Sequence, residues 1–139
     1  MRAGVLGLLV ATTLWAQSGA QDQRRTEIQT PYEIQVRVWR DQQPGDEPRL
    51  HVSARFAPRK DAALWSEVDL AGLRLRTGRS VWTPEDSSIE ALPDGVFEVR
   101  GQGEATVEAG AAVVPVVQLK TSAGSREVVL PETVIETVE

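Results

Sequence analysis

The chain contains no cysteine, and one histidine, one methionine and one tyrosine among its 139 residues. The lack of cysteine excludes disulfides, thiol catalysis, zinc–thiolate sites and a thiol-linked lipid anchor together. Stability must therefore come from an apolar core alone. A single histidine is too few for a histidine-built zinc site, which needs three or four ligands. Positive charge is also scarce: 15 Lys+Arg stand against 20 Asp+Glu, for a net charge of −5, and no basic run occurs. That balance argues against nucleic acid and anionic membranes as partners. No motif for a cofactor is present, and none is expected.

What is there begins with "MRAGVLGLLVATTLWAQSGAQ". Arg2 gives a positive start, Ala3 to Ala16 is apolar apart from Gly4, Gly7, Thr12 and Thr13, and Ser18 and Ala20 supply small residues after it. This three-part pattern predicts a secretory signal over residues 1–20, cleaved after Ala20. The run falls short of the roughly 20 apolar residues of a membrane span, so no membrane insertion is expected after cleavage. Residues 21–30, "QDQRRTEIQT", are polar and without a period, as in a flexible leader. Residues 31–139 are one domain's worth of chain. Export without disulfides fits a secreted or periplasmic protein of a bacterial envelope.

From Tyr32 the period is two. Tyr32, Ile34, Val36 and Val38 share one face, and Glu33, Gln35, Arg37 and Trp39 the other. "RLHVSARF" repeats the pattern, with Leu50, Val52, Ala54 and Phe56 opposed to Arg49, His51, Ser53 and Arg55. The loop "DQQPGDEP" between them makes a hairpin. The parity changes at Ala71-Gly72, which predicts a bulge or bend. "RTGRS" reads as a tight turn into Val81-Trp82. "TPEDSSIEAL" predicts the one short helical turn, near 84–91, with Thr83 as cap, Pro84 at the first position and Asp86 in the first turn. "GVFEVRG", "EATVEAG", "VVPVVQLKT", "REVVL" and "ETVIETV" follow as strands, broken at Gly101–Gly103, Ala109-Gly110, Ser122–Ser125 and Pro131. Short strands with frequent turn signals indicate an all-β, antiparallel β-sandwich of seven to nine strands. Its expected core includes Ile34, Val36, Val52, Ala54, Phe56 and Phe97.

"ALPDGVFEVRG" resembles a signature of immunoglobulin-like and fibronectin-III-like sandwich modules. In those families a leucine, a D-G turn and an aromatic lead into the second-last core strand; Leu92, Asp94, Gly95, Phe97 and Val99 fill those places. The family's aromatic is usually a tyrosine that hydrogen-bonds the preceding loop. This chain has Phe97, so the corner would rest on packing. "TVEAGAAVVPVVQL" is similar to the late strand pair of bacterial modules of this kind. The resemblance implies a fold and leaves function to be read from a site.

Among candidate sites, His51 lies on the wet face of a strand, and no nucleophile turn such as G-x-S-x-G accompanies it, so it does not read as a triad base. "GQGE", residues 101–104, lacks a following helix to bind phosphate and reads as a turn. The loop acids Asp41, Asp46, Glu47, Glu85, Asp86 and Asp94 lack calcium-loop spacing, and no metal is expected. Paired carboxylates would also serve a glycosidase, but a small sandwich has little room for its cleft. The aromatics remain. Trp65 and Trp82 end apolar segments, where tryptophan seals a sandwich edge. Trp39 falls on the wet face, and the hairpin registers with a plausible loop put it opposite Arg49 or His51. There its ring is either a lid covered by its neighbours or part of a binding surface with Arg37, Arg49 and His51. The expected function is an exported, non-enzymatic module that binds a protein or serves as an envelope-assembly subunit. A carbohydrate-binding module using exposed aromatics is the alternative, and a small hydrolase the remote one.

Overall fold

The computed structural model describes residues 30–41, 45 and 47–138. The expected signal and residues 21–29 of the expected leader lie outside them. Thr30, the leader's last residue, is 7 % exposed. Its hydroxyl donates to the Tyr32 carbonyl (2.7 Å) and accepts from the Tyr32 amide (3.0 Å). Arg59 N donates to the Pro31 carbonyl, so the first strand is pinned at its start.

The described residues form an all-β sandwich. Alternation of apolar and polar residues builds the long strands β1 (Tyr32–Asp41), β2 (Arg49–Pro58), β3 (Asp69–Thr77), β6 (Phe97–Glu104), β7 (Ala112–Thr121) and β8 (Gly124–Val129). Shorter strands are β4 (Ser80–Trp82), β5 (Asp86–Ala91), β9 (Thr133–Val134) and β10 (Glu136–Val138). One sheet has the order β10-β1-β2-β6-β5 and the other β4-β3-β7-β8, with β9 also on β7. The count of ten exceeds the expected seven to nine because the carboxy-terminal segment divides. β9 pairs antiparallel with β7, Ile135 crosses between the sheets at 2 % exposure, and β10 then pairs parallel with β1.

The inward phases of β1 and β2 are as expected. Val38, Leu50, Val52, Ala54 and Phe56 are buried with Leu73, Leu75, Phe97, Val99, Val117 and Leu119. Ile34 and Val36 are only partly buried against this core, because β10 covers only the last residues of β1 and leaves its start on the sheet edge. Tyr32 completes an aromatic cluster: its ring lies 5.1 Å from Phe97, 6.0 Å from Phe56 and 5.0 Å from Trp65. Burial pushes the Tyr32 hydroxyl above its ordinary pKa, and a hydrogen bond with the Trp65 backbone partly offsets this.

Pairing also explains the irregularities. The register of β3 shifts between Leu70 and Gly72, where the parity change predicted a bulge. The β3–β4 turn is Gly78-Arg79, with Gly78 at φ 61°, the positive φ that a two-residue hairpin turn requires at its first position. Pro115 sits inside central strand β7, where a missing N–H is costly. β8 pairs from Val116 onward and β9 pairs at Ala112 and Val113, so no ladder bond is asked of Pro115 on that side. Its carbonyl accepts from Leu130 N (2.9 Å).

Four expectations are corrected. Residues 86–91 are strand β5, and the helical turn is a 3-10 turn at Pro93–Gly95. A six-residue helix is marginal, whereas the strand pairs from Asp86–Gln102 to Ala91–Phe97 along the edge of β6. Residues 101–103 are not a turn but the continuation of β6. A Cβ on Gly101 would lie 2.6 Å from Leu73 Cδ2 and 3.1 Å from Pro84 Cβ; one on Gly103 would lie 3.1 Å from Trp82 Cζ2. The glycines admit the β4–β5 connection against the sheet. The expected strand "EATVEAG" is a loop past Glu104, held where Ala105 N donates to Pro48 O and Gly110 N to Ile135 O. Finally, Phe97 opens β6, between β2 and β5, with the long strands β7 and β8 still to follow. The Leu92–Val99 stretch is therefore not the entry to the second-last core strand.

Candidate functional site on the outer face of the first sheet

The outward residues of β1, β2, β6 and β5 form rows across the sheet. One row is Trp39–His51–Gln102–Asp86, the next Arg37–Ser53–Arg100–Ser88. Of the two registers open to the hairpin, the fold adopts the one opposing Trp39 to His51. These rows line a groove of about 580 Å3.

Trp39 is half-buried at one side of the groove. The His51 ring stacks on it, with centroids 5.1 Å apart and planes 9° from parallel. The Arg37 guanidinium lies 4.9 Å from its centroid and is fixed by Glu136 Oε1 on β10 (3.3 Å). The ring is thus shielded, neither core nor bare platform. Arg49, expected beside it, lies one row away and pairs with Glu85 Oε1 (3.4 Å); Glu85 Oε2 in turn accepts from Glu104 N (3.1 Å). Arg37, Trp39 and His51 line the groove, and Arg49 does not.

Residues of β5 and β6 that the sequence reading passed over form the groove's floor and far wall. Glu98 accepts from Ser53 Oγ (2.9 Å) and from Arg100 Nη2 (2.7 Å). Burial by itself raises the Glu98 pKa. The hydrogen bonds from Ser53 and Arg100, with the positive charges of Arg100 and Arg55, outweigh this and hold the carboxyl below its usual range. A carboxylate so paired positions Arg100 over the floor. Continuing the period of two through the glycines of "FEVRGQGE" would have placed Glu98, Arg100 and Gln102 on this face.

His51 Nε2 stands 3.8 Å from Asp41 Oδ2, beyond hydrogen-bond reach. The Ser53 hydroxyl, on the same face of β2, is engaged by Glu98. Of the other tryptophans, Trp82 is 6 % exposed and donates Nε1–H to the Glu104 carbonyl (2.8 Å). Trp65 packs on Tyr32 beneath the Arg126 guanidinium, 4.8 Å from its centroid. Both close ends of the sandwich. Among the described residues, no group of three or more His, Asp or Glu is placed to hold a metal ion, and no helix is long and apolar enough to cross a membrane. Asp46 lies outside the described residues.

No protein-family model, no curated protein and no solved structure matches this chain. The groove's own chemistry carries the functional reading. It joins an aromatic ring, two guanidinium groups held by carboxylates, and an array of hydroxyl, amide and carboxylate groups along one sheet face.

Proposed function

We propose that the chain is an exported, non-enzymatic interaction module of immunoglobulin-like topology, which binds a protein partner or serves as a subunit of an envelope assembly. The strand orders β1-β2-β6-β5 and β4-β3-β7-β8 support the topology. They correspond to the A-B-E-D and C′-C-F-G sheets of immunoglobulin sandwiches. The observation that carries the function is the groove on the first sheet, where Arg37, Trp39 and Arg100 stand in adjacent rows. Tryptophan and arginine are the residue types that concentrate binding energy at protein interfaces, and their fixed neighbours here reduce the entropy lost on docking.

The test uses the full chain, tagged and exported, to capture envelope proteins beside the Trp39→Ala/Arg100→Ala double variant. The expected result is a partner retained by the parent chain and lost by a variant that still folds. Equal capture by both would overturn the use of this face. N-terminal sequencing of the exported protein is expected to begin at Gln21; recovery of Met1 or Arg2 in a membrane fraction would overturn the localisation. Glycan binding is the second reading, favoured by Trp39 lining the same groove as Gln102, Asp86 and Ser88. It predicts quenching of tryptophan fluorescence by soluble glycans.

A further inference from the structure

We infer that the free edge of β5 binds an extended, basic peptide by strand addition; this rests on the protein-binding reading and names the kind of partner. Among the described residues β5 pairs only with β6, so alternate backbone N–H and C=O groups of Asp86–Ala91 point to an open edge. Such an edge is a template for another strand. Main-chain hydrogen bonds then supply affinity, and pockets for alternate side chains supply specificity.

β5 has a hollow on each side. Its outward residues Asp86 and Ser88 line the groove of about 580 Å3. Ser87, of the opposite parity, borders that groove too and also lines a second hollow of about 290 Å3 with Gly72, Arg74, Pro84 and Gln118. That second hollow lies where β4, paired only with Leu75–Thr77, stops covering the edge of β3. A strand added to β5 sends successive side chains to opposite faces, so alternate residues would enter the two hollows in turn.

Charge selects the occupant. Asp86 and Glu90 are exposed on the outward face of β5, four residues apart, and no hydrogen bond or ion pair joins either side chain to the described residues. Opposite charges on neighbouring strands stabilise pairing, and like charges directly opposite destabilise it. A second copy of the chain, added antiparallel about Ser88, would set Asp86 against Glu90 and be repelled. Lysine or arginine at alternate positions of a partner strand would instead meet both carboxylates.

The test is NMR titration of the full chain with a synthetic peptide of alternating threonine and lysine, matched to β5 in length. Three controls accompany it: its threonine–glutamate counterpart, the lysine peptide N-methylated at alternate residues, and the Asp86→Lys/Glu90→Lys variant. Expected are amide shifts and slowed exchange along β5 with the lysine peptide, none with the glutamate peptide, loss on N-methylation, and about tenfold weaker binding by the variant. Absence of β5 shifts, or binding indifferent to N-methylation, overturns the inference and leaves the acids as guards against edge pairing. Shifts confined to Trp39, His51 and Arg100 overturn strand addition while preserving the groove as the binding face. Loss of partner capture in the Trp39→Ala/Arg100→Ala variant tests the broader reading separately.

Discussion

Replacing Phe97 by alanine probes the core where the two ends of the sequence argument meet. Phe97 is 6 % exposed, stacks on Phe56 with centroids 4.5 Å apart and planes 14° from parallel, and meets Tyr32 edge-on at 5.1 Å. Truncating a buried phenylalanine costs about 3–5 kcal/mol, from lost transfer energy and the cavity left behind. The ring pairs belong to that figure, at about 0.5–1.5 kcal/mol each. Against a total stability of about 5–15 kcal/mol, with no disulfide to constrain the unfolded chain, the loss is a large fraction. At roughly 4–8 °C per kcal/mol for a domain near this size, Tm should fall by about 12 °C or more. Urea unfolding followed by tryptophan fluorescence and far-UV circular dichroism measures it, with an unchanged m-value expected. Phe97→Leu, which keeps most of the volume, should cost under about 1.5 kcal/mol. A double-mutant cycle with Phe56→Leu should show coupling of about 0.5–1.5 kcal/mol. If Phe97→Ala melts with the parent, the aromatic cluster is not the core and the pairing of β2 with β6 is wrong.

Three further outcomes follow from the same geometry. Trp39→Ala should cost about 1 kcal/mol or less in urea unfolding, the scale of a surface cross-strand pair; a loss of 3 kcal/mol or more, the scale of core truncation, would place the ring in the core. Gly101→Ala should destabilise by about 1–3 kcal/mol through overpacking, since its Cβ would meet Leu73 and Pro84; a neutral result in thermal melting would mean that the β4–β5 connection does not press on β6. The depressed pKa of Glu98 stabilises the fold above the pKa the carboxyl has in the unfolded chain, and this is lost as pH falls through the lower folded pKa. Glu98→Gln should therefore be less stable at neutral pH and lose less on acidification, and melting scans from neutral to acid pH would expose parallel curves as a failure.

Several features were determined by the sequence alone, because they are local. A period of two has only two phases, and apolar burial selects one, so the faces of β1 and β2 and the outward placement of Trp39 follow without any partner strand. The glycine turns and the parity break at Ala71-Gly72 are local in the same sense. Tertiary structure decided what depends on a neighbour distant in the chain. Either hairpin register satisfies the alternation, and only the assembled sheet opposes His51 to Trp39. Residues 84–91 carry a helix-start pattern, yet the unpaired edge of β6 offers backbone hydrogen bonds that an eight-residue helix cannot match. Gly101 and Gly103 look like turn residues in one dimension; in three they make room for Pro84 and Trp82. The groove follows the same rule. Arg37, Trp39 and His51 were legible on one hairpin, whereas Ser88, Glu98, Arg100 and Gln102 joined them only when β6 and β5 completed the sheet, since sequence periodicity assigns a residue its face and long-range pairing assigns it its neighbours.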